Sequence, residues 1–453
     1  MKGSPICGCS LATLEITDKI QKIAMSMTTS LQRIARNFCI LLSGQAVVTA
    51  LAFVALGLNT RALGIEDLGR LFLVQAACEL TSKVIAFQNW QTFIKLGAED
   101  GAGTAETMGL WVFGVALDFL AAAIAAGAIA VVFVFFPGLV GLDPETASWS
   151  LMYVASLLVS GTGTCIGTLR LYERFGQVVA VNTLQAVLLL ASAAVLYHMS
   201  APLKSYLIAI PAIIAFCSLL MIALGLRSIL QQIPVPRHYW PAAAERRTFL
   251  SFAFGVSASA TLSAFRQRGE VLLVGVILGP AAAALYGVAY RLSALIARFA
   301  QSARISVYPE FSKMVAQNAF PEALALAKKL TRWTGLAGLS IIAAVVVAGE
   351  PALALLFGAE FAAAYPNLVL LATGTCIYTA TFALGPLVQI AFGSWRFFAM
   401  NVIAFAGFVI FGALGPYLFD AAGAGAGAAA FSCILAALLV MQIRRQVRSR
   451  SGG

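Results

Sequence analysis

The sequence predicts an all-α integral membrane protein, its twelve transmembrane helices arranged as two pseudo-symmetric six-helix bundles around a central cavity. Three observations carry that reading: a composition 60% hydrophobic and only 11% charged over 453 residues, a succession of apolar stretches long enough to cross a bilayer, and an uneven division of basic residues between alternate loops. Soluble domains carry about 25% charged residues. A mean hydropathy of +0.90 over the whole chain therefore excludes a soluble enzyme, a secreted disulfide scaffold and a disordered chain. In such a chain the net charge of +11 belongs to loops retained in the cytoplasm, and no nucleic-acid partner is expected.

In chain order, the first 30 residues are polar and mixed and lack the apolar run of a signal peptide, and Met25 and Met27 just before Arg33 and Arg36 offer a later start. Residues 1–36 read as a disordered cytoplasmic segment. A window of about 20 residues then finds spans at 38–58, 71–94, 109–136, 147–169, 177–197 and 205–226. A charged connection at 227–247 follows, with Pro234, Pro236, Pro241 and four Arg. Beyond it lie spans at 248–278, 285–307, 333–356, 367–391, 397–419 and 422–443, and a basic cytoplasmic tail, 444–453. These boundaries predict an N-terminal bundle over 37–226, a linker over 227–247 and a C-terminal bundle over 248–443.

The seventh segment is long and interrupted by Arg266-Gln267-Arg268-Gly269-Glu270, which raises the alternative of two short spans and thirteen in all. Loop charge decides for twelve. With both termini cytoplasmic, the outer loops keep only Arg61, Arg70 and Lys204, whereas a thirteenth span would carry Arg444, Arg445, Arg448 and Arg450 outside. One loop dissents: residues 95–108 should be cytoplasmic yet hold three acids and one Lys. Residues 310–330 mix Glu310, Lys313, Glu322, Lys328 and Lys329 with Phe311, Phe320 and Leu324, a pattern for an amphipathic segment at the cytoplasmic interface.

A faint repeat relates the halves. Leu63-Gly64 followed by Gly69 opens the second span, and Leu278-Gly279 followed by Ala284 opens the eighth. Two such halves leave a cavity between them, where a transporter holds its substrate. Asn59 through Gly69, Leu278-Gly279 through Leu292, Tyr308-Pro309-Glu-Phe-Ser-Lys313 and Phe357-Gly-Ala-Glu-Phe361 resemble bacterial polysaccharide flippases, the Wzx-type members of the MOP superfamily, over roughly 37–443. Ala284 departs from the usual Gly. The resemblance implies a polyprenyl-pyrophosphate-linked oligosaccharide as substrate, flipped from the inner to the outer leaflet of the bacterial cytoplasmic membrane. The partners implied are that lipid-linked substrate, membrane lipids and other polysaccharide-assembly membrane proteins.

Charges inside the spans mark the chemistry, because each costs about 2.5–3.5 kcal/mol at a helix centre. They are Glu79 and Lys83, Asp118, Arg266, Arg268 and Glu270, and Arg291, Arg298 and Arg304. Glu79 and Lys83 are four apart and can neutralise each other, with Asp118 at a comparable depth to complete a triad. Arg266 and Glu270 have the same spacing. Arg268 points away from Arg266 and needs a different partner. Arg291 and Arg298 are two turns apart and share a face with Gln301, while Arg304 lies near the inner interface.

Arg291 and Arg298, with Arg266, Arg268 and Gln301, are the candidate substrate-binding residues; the other reading of the two arginines is an acid on a neighbouring helix. Glu79, Lys83, Asp118 and Glu270 are candidates for coupling or for structural ion pairs. Gln45, Gln88, Asn89, Gln91, Asn182, Gln185, Gln389 and Asn401, with Trp90 and Trp395, serve either sugar contact or interhelical and interfacial packing. Six of the eight cysteines lie singly in apolar runs, Cys7 and Cys9 are one residue apart in the polar first segment without metal-site spacing, and His198 and His238 are isolated, so no metal or cofactor is expected. An anion moves outward down the membrane potential by about 2.3 kcal/mol per charge per 100 mV, so cation coupling is not required. The alternatives are a cation-coupled multidrug-type antiporter, which needs unpaired carboxylates, and a polysaccharide polymerase or ligase, which needs a large outer loop.

Overall fold

The computed structural model describes residues 8–87, 89–99, 105–233, 240–317, 319–419, 423 and 425–451. Gln88, Cys7, the middle of the 95–108 loop and the middle of the linker lie outside them. Among the described residues every regular element is helical: α1 (Gly8–Ile85), α2 (Asn89–Glu99), α3 (Ala105–Phe135), α4 (Pro144–Leu157), α5 (Gly163–Leu171), α6 (Phe175–His198) and α7 (Leu203–Gln232) in the first half. The second half holds α8 (Ala243–Ala264), a π turn (Phe265–Gly269), α9 (Glu270–Leu278), α10 (Pro280–Ala316), α11 (Phe320–Phe357), α12 (Tyr365–Ala380), α13 (Leu384–Phe392), α14 (Ser394–Phe419) and α15 (Ala426–Ser451).

Nine helical stretches of the described chain are long and apolar enough to cross a bilayer. The count rises to twelve for local reasons. One stretch folds back at Gly64, where φ is 70° and ψ −176°, a region open essentially to glycine, so α1 supplies two spans as two arms. The fourth span is interrupted between α4 and α5. The seventh is α8, the π turn and α9 in one line, which keeps it a single crossing.

The halves repeat each other element by element. Leu278-Gly279 turns α9 into α10 with φ 88° and ψ 176°, nearly the conformation of Gly64. The third span of each half ends in a short 3-10 turn, Pro137–Val140 in one and Ala359–Ala364 in the other. A span in two pieces follows each, α4 with α5 and α12 with α13, and then two long helices. The Leu-Gly repeat in the sequence is the visible edge of this wider symmetry.

Two expectations change. Residues 8–36, expected to be disordered, begin α1 as helix, because neither Gly nor Pro occurs between Gly8 and Gly44. Residues 310–330 are amphipathic, but their apolar side faces protein instead of lying at a lipid interface. Helix α10 runs on to Ala316, α11 starts at Phe320, and Phe311, Phe320, Ala323, Leu324 and Ala327 bury themselves against Phe382, Leu387, Phe408 and Leu435.

The largest apolar cluster lies between the halves. Leu68, Leu71, Phe72 and Leu73 on the second arm of α1 pack with Val274, Ala284, Tyr286 and Val288 on α9 and α10, near the end that bears Gly64 and Gly279. Glycines set how close these helices come. A methyl at Gly69 would overlap the carbonyl of Pro280, one at Gly275 would overlap Leu73, and one at Gly287 would overlap Phe72. The outer surface is apolar as a lipid-facing surface must be, with Val347 81% and Leu355 74% exposed. At the same end Asp143 caps α4, accepting the N–H of Thr146 at 2.9 Å and its hydroxyl at 2.8 Å, and meets Arg70 at 3.4 Å. Partial burial of the Asp143 carboxyl opposes ionisation, but the Thr146 bonds and the Arg70 cation outweigh it, so its pKa falls below the ordinary value.

Two outcomes test this architecture. Gly69→Ala should lower thermal stability in detergent by about 1–3 kcal/mol because backbone cannot yield to the methyl, whereas Gly127→Ala, with open space around it, should be neutral or slightly stabilising. Since the folded pKa of Asp143 is depressed, its contribution is present above the ordinary carboxyl range and lost as pH falls. The melting-temperature gap between wild type and Asp143→Ala should therefore close as pH drops below about 4.

Candidate functional site

Along the second arm of α1, Phe72, Gln75 and Glu79 recur at intervals of three and four and so share one helix face. That face meets α10 and the π turn. Arg291 crosses from α10 to donate to the Gln75 Oε1 at 3.0 Å, with its guanidinium 3.8 Å from the centre of the Phe72 ring. Arg268 forms an ion pair with Glu79 at 2.6 Å, both side chains being half-buried. Arg298 donates to the Thr49 hydroxyl on the first arm of α1. Three arginines of the second half thus reach the first half at successive depths.

The π turn aims the cations. One extra residue per turn rotates the side chains that follow it, and such turns recur at functional positions. Arg268 faces α1, while Arg266 turns into the second half, over the rings of Tyr378 at 5.5 Å and Phe431 at 5.0 Å. The sequence expectation that the two could not share a partner is met.

Glu79, Asp118 and Glu270 each hold a donor of the protein. Glu79 takes Arg268 rather than Lys83, which is exposed on the same helix. Asp118 is not the third member of a triad with Lys83: buried, it accepts the backbone N–H of Thr164 at 2.6 Å and the Asn89 Nδ2 at 2.8 Å. It thereby caps α5 from another helix, supplying the bond that Thr162 at the helix start does not make with its own side chain. Glu270 accepts the Tyr286 hydroxyl at 2.5 Å and the backbone N–H of Ala428 at 3.1 Å, in the first turn of α15. It makes no ion pair with Arg266, which the π turn has carried off its helical face. Both fully inserted acids sit against positive helix ends, which compensate them without a cation.

Arg291 by contrast bonds an amide oxygen and stacks on a ring, with no ion pair of its own among the described residues, and Glu79, whose charge acts on it, is already paired with Arg268. Gln301 lies on α10, and its side chain, like that of Arg304, falls outside the described residues. Of the candidate sugar contacts, Asn89 serves Asp118, Asn401 bonds its own helix at the Phe397 carbonyl, Trp90 lies under Arg170 and Trp395 is 78% exposed, stacked on Phe398. Sequence reasoning missed Phe72, Gln75, Thr49 and Tyr286. The i, i+3, i+7 spacing of the first two with Glu79 was the available signal.

The polysaccharide biosynthesis protein family matches residues 34–315. The chain belongs to that family. It is similar to the inner membrane protein YghQ of Escherichia coli strain K12, with 24% identity over 343 residues, 73% of this chain and 94% of that one. Its fold is that of MOP superfamily transporters. It superposes on the lipid II flippase MurJ in an inward closed conformation with TM-score 0.69 at 14% identity, over 89% of this chain and 87% of that one. An inward-facing multidrug resistance MATE family transporter gives 0.68 at 13% identity, over 88% and 95%. The resemblance therefore holds in family, as a polysaccharide biosynthesis protein, and in fold, as that of MOP superfamily transporters, and the chain carries several helices long and apolar enough to cross a membrane.

The Glu79 to Arg268 pair is open to a double-mutant cycle. Melting temperatures of Glu79→Gln, Arg268→Gln and the double variant should give a coupling of about 1–3 kcal/mol, as for a charged hydrogen bond. Lys83→Ala should change stability by less than about 0.5 kcal/mol.

Proposed function

We propose that this protein flips a polyprenyl-pyrophosphate-linked oligosaccharide from the inner to the outer leaflet of the cytoplasmic membrane, by alternating access of a cationic cavity between two bundles, 37–226 and 248–443, with both termini cytoplasmic. The observation that carries the reading is Arg291, inside the seam between the halves, which bonds Gln75 and stacks on Phe72 and has no ion pair of its own among the described residues. Membership of a polysaccharide biosynthesis family supports the substrate class, as does the likeness to a protein named as a lipid II flippase.

The chemistry follows from the arginines. A guanidinium stays charged when desolvated and presents a planar fork that fits phosphate oxygens, so it replaces hydration that an anionic head group loses on leaving water. Arg291, Arg298, Arg268 and Arg266, with Gln301, form the binding set. A pyrophosphate competes with Gln75 for Arg291 and with Glu79 for Arg268. Binding thus exchanges contacts between the halves for contacts to the ligand, which favours the state in which the halves part at this seam. A cation-coupled antiporter needs a carboxylate available to the cavity, whereas Glu79, Asp118 and Glu270 already hold donors of the protein.

A deletion strain should accumulate an unflipped lipid-linked oligosaccharide that the wild-type gene clears. Arg291→Ala and Arg298→Ala should each cut export by about ten-fold or more at normal protein abundance, the loss expected for a charge-assisted hydrogen bond. Arg291→Lys should keep part of it, and Arg304→Ala should stay near wild type. Normal export by both alanine variants would assign these arginines to structure alone.

A further inference from the structure

Where the chain leaves the linker, Trp240 and Pro241 lead into α8, and the Glu245 carboxylate turns back to accept the Ala242 N–H at 3.0 Å. That closes the first helical turn and occupies the local acid. The next two residues, Arg246 and Arg247, form no ion pair among the described residues. They rim a cavity of about 460 Å³ lined also by Phe113, Ala243, Leu250 and Ser251. Phe113 comes from α3, eight residues in from its start and so about 12 Å along the helix. It meets Trp240 edge-on at 5.6 Å, and Arg246 lies 5.9 Å over the Trp240 ring. Trp240 itself is 54% exposed.

The arrangement is graded. Two guanidiniums and the positive end of α8 form its mouth, an exposed tryptophan stands beside them as aromatic residues do at a bilayer surface, and Phe113 with Leu250 supplies an apolar floor one to two turns deeper. A free phosphate would use the mouth and leave the floor empty, and an acidic peptide would gain nothing from apolar groups at membrane depth. A lipid with an anionic head group uses both.

We propose that this pocket binds the phosphate of an anionic phospholipid of the surrounding bilayer, its acyl chain lying over Phe113 and Leu250, and that occupancy fastens α8 to the first half. The second clause rests on where α8 packs. Phe249 and Ala253 are buried with Phe93, Leu96, Trp111 and Phe113 of the first half, although α8 runs on through the π turn to Arg268. A lipid at its start therefore acts on the element that joins the two halves.

Native mass spectrometry of protein extracted in mild detergent tests the site without reference to transport. Wild type should retain phosphatidylglycerol or cardiolipin, the double variant Arg246→Gln with Arg247→Gln should retain about ten-fold less, and Arg396→Gln, which removes an exposed arginine beside Trp395, should match wild type. Added phosphatidylglycerol should raise the melting temperature of delipidated wild type but not of the double variant, while phosphatidylcholine and inorganic phosphate should do little. Equal lipid retention by the double variant overturns the site. An equal loss in Arg396→Gln reduces it to general surface charge, and equal stabilisation by inorganic phosphate reduces it to an anion site without a lipid.

Discussion

The close approach of the second arm of α1 to α9 and α10 is the constraint on which the rest of this structure depends. Apolar side chains drive no association between helices already in lipid, so close packing must supply it, and the backbones must come near each other. Gly69 against Pro280, Gly275 against Leu73 and Gly287 against Phe72 provide that nearness. Each of these contacts joins one half to the other. With larger residues there the seam would widen, and Arg291 would no longer reach Gln75 nor Arg268 reach Glu79.

Charge is then sorted by what can be compensated locally. A carboxylate in a membrane can be satisfied by backbone N–H groups at a helix start, and Asp118 at α5 and Glu270 at α15 both use that solution. Small residues make room for it: a methyl at Gly163 would meet the Asp118 Oδ1 at 3.0 Å, and one at Gly427 would press on Glu270 Oε1 at 2.6 Å. A guanidinium has no equivalent helix end in this seam. Asp118 and Glu270 become architecture, while of the arginines in the seam Arg268 takes Glu79 and Arg291 forms no ion pair among the described residues.

The irregular backbone has the same logic. The gap between α4 and α5 frees the Thr164 N–H that Asp118 accepts, and the π turn at 265–269 sends Arg266 and Arg268 to opposite halves. The break before α5 lies where Asp118 satisfies the Thr164 N–H it exposes, the circumstance in which broken helices are tolerated at membrane depth. Helix α8 adds a mechanical link, since it packs with one half and leads into the other.

The sequence by itself determined the fold class, the number of crossings, the seventh span as a single one and the relation between the halves, because bilayer thickness and loop charge act on composition without reference to neighbours. The Leu-Gly pairs at 63–64 and 278–279 even marked the two matching turns. It also singled out the charged residues inside the spans, since their cost in lipid is a local property. Only the tertiary structure decided their partners. Spacing along one helix suggested Glu79 with Lys83 and Arg266 with Glu270, whereas the contacts formed are with Arg268 and with helix ends far along the chain. The helical start of α1 and the buried side of 310–330 were misread for related reasons: a polar composition hides helix propensity, and an amphipathic face does not say whether lipid or protein covers it. Pairing inside a membrane goes to whichever donor the packing brings within reach, and packing is set by glycines whose role appears only when two helices meet.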